Sequence, residues 1–249
     1  TLGLHGWQDN AATFDKLAPL LGRVRLVALD LPGHGRSSWR SPGSGYLFCD
    51  YVRDAFAAAD SLGFERFCLL GHSMGAGIAS LMAGTCPDRV RTTVLLEGLG
   101  PLATSEEDTP THMERVLGDL RTRRQRSPRV FGDRGEAISR RREVAGILSE
   151  GGAEALLARG VEDVEGGVRF RHDPQLLARS LVRFTEGQVS AFLRRISCPV
   201  LMVRARSGWE FPPEVMTSRY QCIANASLHE VDGGHHVHLD DPRCLSKEG

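Results

Sequence analysis

The run Phe67-Cys68-Leu69-Leu70-Gly71-His72-Ser73-Met74-Gly75-Ala76-Gly77 restricts the possible folds of this chain more than any other stretch. Apolar residues suited to a buried strand lead through the pattern G-x-S-x-G into Met74 to Thr85, a small-residue segment that reads as a helix ending before Pro87. A turn this tight brings the backbone and the following helix close together, so residues without a Cβ are needed two positions either side of the serine. Gly71 and Gly75 meet that need. The turn lifts the Ser73 hydroxyl above the edge of a sheet, and the positive end of the helix favours negative charge developing there. Ser73 is therefore the candidate nucleophile.

The remainder of the chain supplies a sheet for that turn. Short apolar runs at Leu2 to Leu4, Val24 to Leu29, Arg66 to Leu70, Thr92 to Leu96, Val200 to Arg204 and Ser227 to Val231 are bounded by Gly, Pro or polar residues and read as strands. Asp50 to Leu62 repeats apolar residues at helical spacing and stops at Gly63. Alternating strands and helices predict an α/β fold with a mainly parallel, doubly wound sheet. A chain of 249 residues suits one such domain with an insertion. Residues 1–100 and 197–249 are the expected core, and 101–196 the expected helical cap insertion. Within that insertion Gly167 to Arg171 is a possible extended stretch. The basic run Arg121-Thr122-Arg123-Arg124-Gln125-Arg126 reads as a solvated helix face among acidic neighbours, and no internal repeat is present. The chain lacks an initiator Met and opens as if inside a strand, so a longer parent chain is expected.

A nucleophilic serine needs an oxyanion site, a base and an acid. His5-Gly6-Trp7 follows the first strand, and Gly6 permits close backbone approach, so the N–H groups of Trp7 and Met74 are the expected oxyanion donors. His5, and His34 in the loop Asp30-Leu31-Pro32-Gly33-His34-Gly35-Arg36-Ser37, are expected to bond loop backbone. Near the end, Asp232-Gly233-Gly234-His235-His236-Val237-His238 offers three histidines where one base is required. Metal binding there is disfavoured, because neighbouring histidines on a loop point to different sides and no cluster of metal-ligand spacing accompanies them. For the acid, Glu97 ends the apolar run Val94-Leu95-Leu96 and precedes Gly98. A carboxylate at that strand edge faces the same rim as Ser73, and burying its charge needs a reason. Glu210, within Trp209-Glu210-Phe211-Pro212, is the alternative acid.

With these residues in place, the sequence resembles the α/β-hydrolase superfamily, most closely the animal and bacterial serine hydrolase-like proteins. The resemblance rests on Leu4-His5-Gly6-Trp7-Gln8-Asp9-Asn10-Ala11-Ala12-Thr13-Phe14, the serine turn and the GGHxxHLxxP loop. The stretches Leu157-Ala158-Arg159-Gly160 and Arg171-His172-Asp173 extend it over most of the chain. It implies His235 as catalytic base with His238 packing below, leaves His236 as the second choice, and implies a serine esterase-type hydrolase without a cofactor. In most relatives the acid follows the penultimate strand, where this chain has Ser207-Gly208. A glutamate after the strand following the elbow is similar to the acid position in some haloalkane dehalogenases, but their nucleophile is an aspartate, and Ser73 argues against that chemistry. Relative to the family, the first antiparallel strands and the final helix are missing.

Composition narrows the partner. Formal net charge is zero, with 31 basic and 31 acidic residues, so no field draws nucleic acid or an anionic membrane, and a small, roughly neutral substrate is expected. No apolar stretch approaches the roughly 18 residues of a membrane span, and no secretory signal opens the chain. The six cysteines contain no CxxC pair, Cys68 and Cys198 lie in apolar runs, and reduced thiols in a cytoplasmic protein are expected. Asn225-Ala226-Ser227 then reads as a chance match to a glycosylation acceptor. The expected reaction is hydrolysis of a small carboxylic ester or related acyl compound by Ser73, His235 and Glu97 through an acyl-enzyme. The alternatives are a carbon–carbon bond hydrolase or thioesterase with the same triad, and a non-catalytic binding protein that keeps the fold.

Overall fold

The computed structural model describes residues 1–41, 44–123, 128–145, 147–177 and 180–245. Its first half lays down β1 (Leu2–Leu4), β2 (Val27–Leu29), α1 (Phe48–Ser61), β3 (Phe67–His72), α2 (Met74–Thr85) and β4 (Val90–Leu96). An intervening segment then contributes α3 (Thr109–Arg123), β5 (Val130–Phe131), α4 (Arg134–Ala145), α5 (Glu150–Gly160), β6 (Val161–Val164), β7 (Gly167–Phe170) and α6 (Glu186–Leu193). The chain returns through β8 (Val200–Ser207), α7 (Pro213–Gln221), β9 (Ala226–Gly234) and α8 (Val237–Asp240). Residues 124–126 of the basic run lie outside the described residues.

Six parallel strands form one sheet in the order β2-β1-β3-β4-β8-β9. The chain steps outward from β1 to β2, then crosses back to place β3 on the other side of β1. That reversal is the switch point at which open α/β sheets bind ligands, beyond the carboxyl ends of the strands. Register fixes what meets there. Leu4 pairs with Gly71 and His72 with Leu96, so the segments after β1, β3 and β4 leave the sheet side by side.

Burial follows from that position. α2 is buried from Gly75 to Gly84, packed between the sheet and neighbouring helices, which explains its small, apolar composition. A Cβ on Gly75 would lie 1.9 Å from the Leu4 carbonyl oxygen, and one on Gly71 would lie 2.4 Å from the Gly75 carbonyl oxygen. The two glycines let α2 pass directly over β1. At the turn itself Ser73 adopts φ 52°, ψ −114°, a conformation rare for a side-chain-bearing residue.

Two regions depart from the sequence reading. Residues 101–196 were expected to be mostly helical, yet they include a three-stranded antiparallel sheet, β5-β7-β6. Val161 pairs with Phe170 and Phe131 with Val168, burying a separate apolar cluster with Leu156, Leu157 and Leu239. The second difference is α7, which begins at a Pro-Pro pair and had no expected helix; proline at the first helical turn forfeits no hydrogen bond. Cys198 is buried, while Cys68, also expected to be buried, is only partly so.

Candidate active site

Ser73, His235 and Glu97 meet at the carboxyl edge of the sheet. Ser73 Oγ lies 2.8 Å from His235 Nε2, and His235 Nδ1 lies 3.2 Å from Glu97 Oε2. These partners assign the tautomer: Nδ1–H donates to Glu97, leaving Nε2 to accept the serine proton. His235 sits between β9 and α8, and its own carbonyl accepts a hydrogen bond of 2.8 Å from His72 Nε2. Ser73 and His235 remain partly accessible, whereas the Glu97 side chain is 2% exposed.

A buried carboxylate needs its lone pairs occupied. The Ala205 and Trp209 N–H groups donate to Glu97, the latter at 3.0 Å, so the end of β8 cradles an acid supplied by β4. Glu97 also adopts φ 56°, which turns the chain sharply at the end of β4. The room comes from Gly208: a Cβ there would lie 1.9 Å from Glu97 Oε2. Glycine thus stands where the sequence reading had sought an acid, and Glu97 fills the space. Glu210 is exposed.

The backbone completes the arrangement. Trp7 follows β1 and Met74 opens α2; among the described residues neither N–H donates to another backbone group in the turns and loops. The first N–H groups of a helix have no intrahelical partner, so Met74 can point its donor at an anion beside Ser73. Trp7 is held by its indole, which donates to the Leu176 carbonyl at 3.0 Å. His5 bonds the backbone of Gly6 and Leu31, and His34 that of Pro32. Trp209 lies 5.7 Å from the His235 ring, centre to centre, and is half-exposed.

His236 turns away from Ser73, its ring at 88° to that of His235. Its Nε2 lies 3.3 Å from Asp9 Oδ2, and His72 Nδ1 is also 3.3 Å from that oxygen. Donor atoms of Asp9, His72 and His236 all lie within 4.8 Å of one another, so a cluster of metal-ligand type does accompany the histidine loop, contrary to the sequence expectation. Positions 9, 72 and 236 are brought together only by the sheet register. Arg141 from α4 also bonds Asp9, however, and a divalent ion would have to share that carboxylate with a guanidinium. Burial drives His72 down to about 4. Burial, then the neighbouring His72 and His236, put His238 well below its ordinary value. Burial would raise the Asp9 carboxyl, but His236, then Arg141, hold it well below the usual range.

This geometry is that of an α/β hydrolase, and a family model for the alpha/beta hydrolase fold matches residues 2–242; the chain belongs to that family. Within it, the chain is similar to a serine hydrolase-like protein of Danio rerio, 34% identical over 258 residues, covering 98% of this chain and 78% of that one. A crystal structure of a hypothetical protein from Pseudomonas aeruginosa PAO1 superposes with a TM-score of 0.91 at 38% identity, covering 97% of this chain and 86% of that one. The thioesterase domain from the curacin biosynthetic pathway gives a TM-score of 0.83 at 28% identity, covering 98% and 87%. No helix among the described residues is long and apolar enough to cross a membrane.

Proposed function

We propose that this hydrolase cleaves a small carboxylic ester or related acyl compound through an acyl-enzyme on Ser73. The observation that carries the reading is the continuous relay of Ser73 Oγ, His235 and Glu97, with contacts of 2.8 and 3.2 Å. Ser73 Oγ attacks the carbonyl carbon while its proton passes to His235 Nε2. Negative charge moves onto the carbonyl oxygen, toward the N–H groups of Trp7 and Met74; losing one such donor typically costs on the order of a hundredfold to a thousandfold in rate. The carbon–oxygen bond to the leaving group then breaks, and His235 returns its proton to the departing alkoxide. Water attacks the acyl-enzyme, gives its proton to the same nitrogen, and collapse restores Ser73 with release of the acid. Glu97 holds the imidazole in the required tautomer and stabilises its cation.

The intervening segment then acts as the cap. Trp7 bonds Leu176, Asn10 bonds the Leu156 carbonyl at 2.8 Å, and Arg159 pairs with Asp30 at 2.8 Å, so this segment rests on the loops after β1 and β2, the first of which carries Trp7. A thioester substrate is the second reading, favoured by the likeness to the thioesterase domain, since attack on either carbonyl uses the same groups. Hydrolysis rates across oxygen esters and thioesters of graded acyl length test both. The ester reading expects turnover of short oxygen esters that Ser73→Ala abolishes, and folded protein that turns over neither series would defeat it.

A further inference from the structure

Three buried polar side chains outside the triad, His72, His236 and Arg141, meet Asp9, whose side chain is 1% exposed. Asp9 lies on the loop after β1, two residues beyond Trp7, and its N–H donates to the Gly6 carbonyl at 3.1 Å. Its carboxylate sits beneath the Gly6 peptide: a Cβ on Gly6 would be 2.8 Å from Asp9 Oδ2 and 3.0 Å from His72 Nδ1. His236, next to the base, meets the same carboxylate. His72, next to the nucleophile, faces it with Nδ1 and holds the His235 carbonyl with Nε2. One carboxylate therefore touches residues adjoining all three catalytic loops.

Arg141 closes this cluster from the intervening segment. It lies in Arg140-Arg141-Arg142 on α4, and its side chain is 9% exposed, against 48% for that of Arg140. Its Nη2 donates to Asp9 Oδ1 across 132 residues of sequence. An ionised carboxylate this deeply buried is costly without a cationic partner, and Arg141 brings a guanidinium to it.

We propose that Arg141 is a positioning residue that clamps Asp9, and that the seating of residues 101–196 thereby sets the geometry of the oxyanion loop and of the catalytic histidine. The effect on turnover rests on the hydrolase reading above; the clamp itself does not. With Arg141 withdrawn, Asp9 loses its guanidinium partner beneath Gly6, and the loops carrying Trp7 and His235 lose a common anchor. Displacing such groups by about 1 Å is enough to cost roughly a hundredfold in rate.

The test compares Arg141→Met, Arg141→Lys and Asp9→Asn/Arg141→Met with the parent, using neutral esters and amide hydrogen exchange over residues 5–10 and 233–238. Arg141→Met is expected to lower kcat on the order of ten- to a hundredfold with KM within about threefold, and to speed exchange in both loops. Arg141→Lys should recover most of both. The double variant should lose no more than Arg141→Met alone, because the buried carboxylate has gone with its partner, and it keeps the test usable if Arg141→Met folds poorly. Folded Arg141→Met with parental kcat and parental exchange would overturn the proposal, as would a loss confined to KM. If the parent hydrolyses no ester, the functional reading falls, while the exchange data still decide the clamp.

Discussion

The elbow and α3 of the intervening segment both contain glycine, for opposite reasons. In the elbow, a Cβ on Gly75 would collide with the backbone of β1, whereas on Gly118 in α3 it would meet nothing within 4 Å. Close approach of two backbones dictates one residue type and leaves a motif in the sequence. A segment that docks through a few side chains, such as Arg141 on Asp9 or Arg159 on Asp30, leaves none. The chemistry-bearing loops are thus held by steric necessity from below and by sparse ion pairs from above.

The largest effect expected is on the acid that bridges β4 and β8. Glu97→Gln should keep the fold and lower kcat by about ten-thousandfold, the scale of a wrong imidazole tautomer in the serine protease triad. Glu210→Gln, on an exposed side chain, should cost less than about tenfold. Steady-state kinetics on one ester would separate the two, and the reverse order would move the acid to the loop after β8. Next comes Gly75→Ala, whose added methyl cannot fit without moving β1 or α2; urea unfolding should show a loss above about 3 kcal/mol, or no folded protein. A loss under about 1 kcal/mol would mean that α2 does not ride on β1 as closely as the distance of 1.9 Å implies.

Acid is the next probe of the rim. His72 is driven from 6.5 to about 4, and His34 and His238 well below 6.5, chiefly by burial. Between these limits the unfolded chain binds protons that the native state refuses, so stability falls as pH falls. The contribution of these imidazoles is whole above pH 6.5 and is lost progressively toward pH 4. The urea midpoint should therefore drop steadily over that interval, reflecting a loss on the order of a few kcal/mol in unfolding free energy. A midpoint unchanged from pH 7 to pH 5 would mean the histidines are hydrated or already charged. The smallest effect belongs to the segment: Gly118→Ala, in an exposed stretch of helix with open space around it, should add about 0.5–1 kcal/mol and leave activity unaltered.

The same contrast decides how much could be read from the chain itself. The strands flanking the elbow, the Gly6 approach and the candidate acid were legible because each is local: an apolar run ends in a turn residue or in a charge that burial must explain. The cradle around Glu97 was only half legible. The missing acid after β8 was visible in Ser207-Gly208, but that glycine makes room for Glu97 only once the two strands pair. β6 and β5 were not foreseen, since Val161-Glu162-Asp163-Val164 carries too much charge, and Val130-Phe131 too few residues, to stand out from helical surroundings. Arg141 was hidden for a related reason. Among three consecutive arginines, nothing local distinguishes the one that turns inward to a carboxylate 132 residues away.

The central claim is that Ser73 is a nucleophile activated by His235, and covalent labelling tests it without knowledge of the natural substrate. A fluorophosphonate incubated with the folded protein, followed by peptide mapping, should place the phosphonyl group on Ser73. The rate should collapse in His235→Ala, because the serine then has no acceptor for its proton. Labelling at another residue, no labelling of folded protein, or an unchanged rate without His235 would contradict the account.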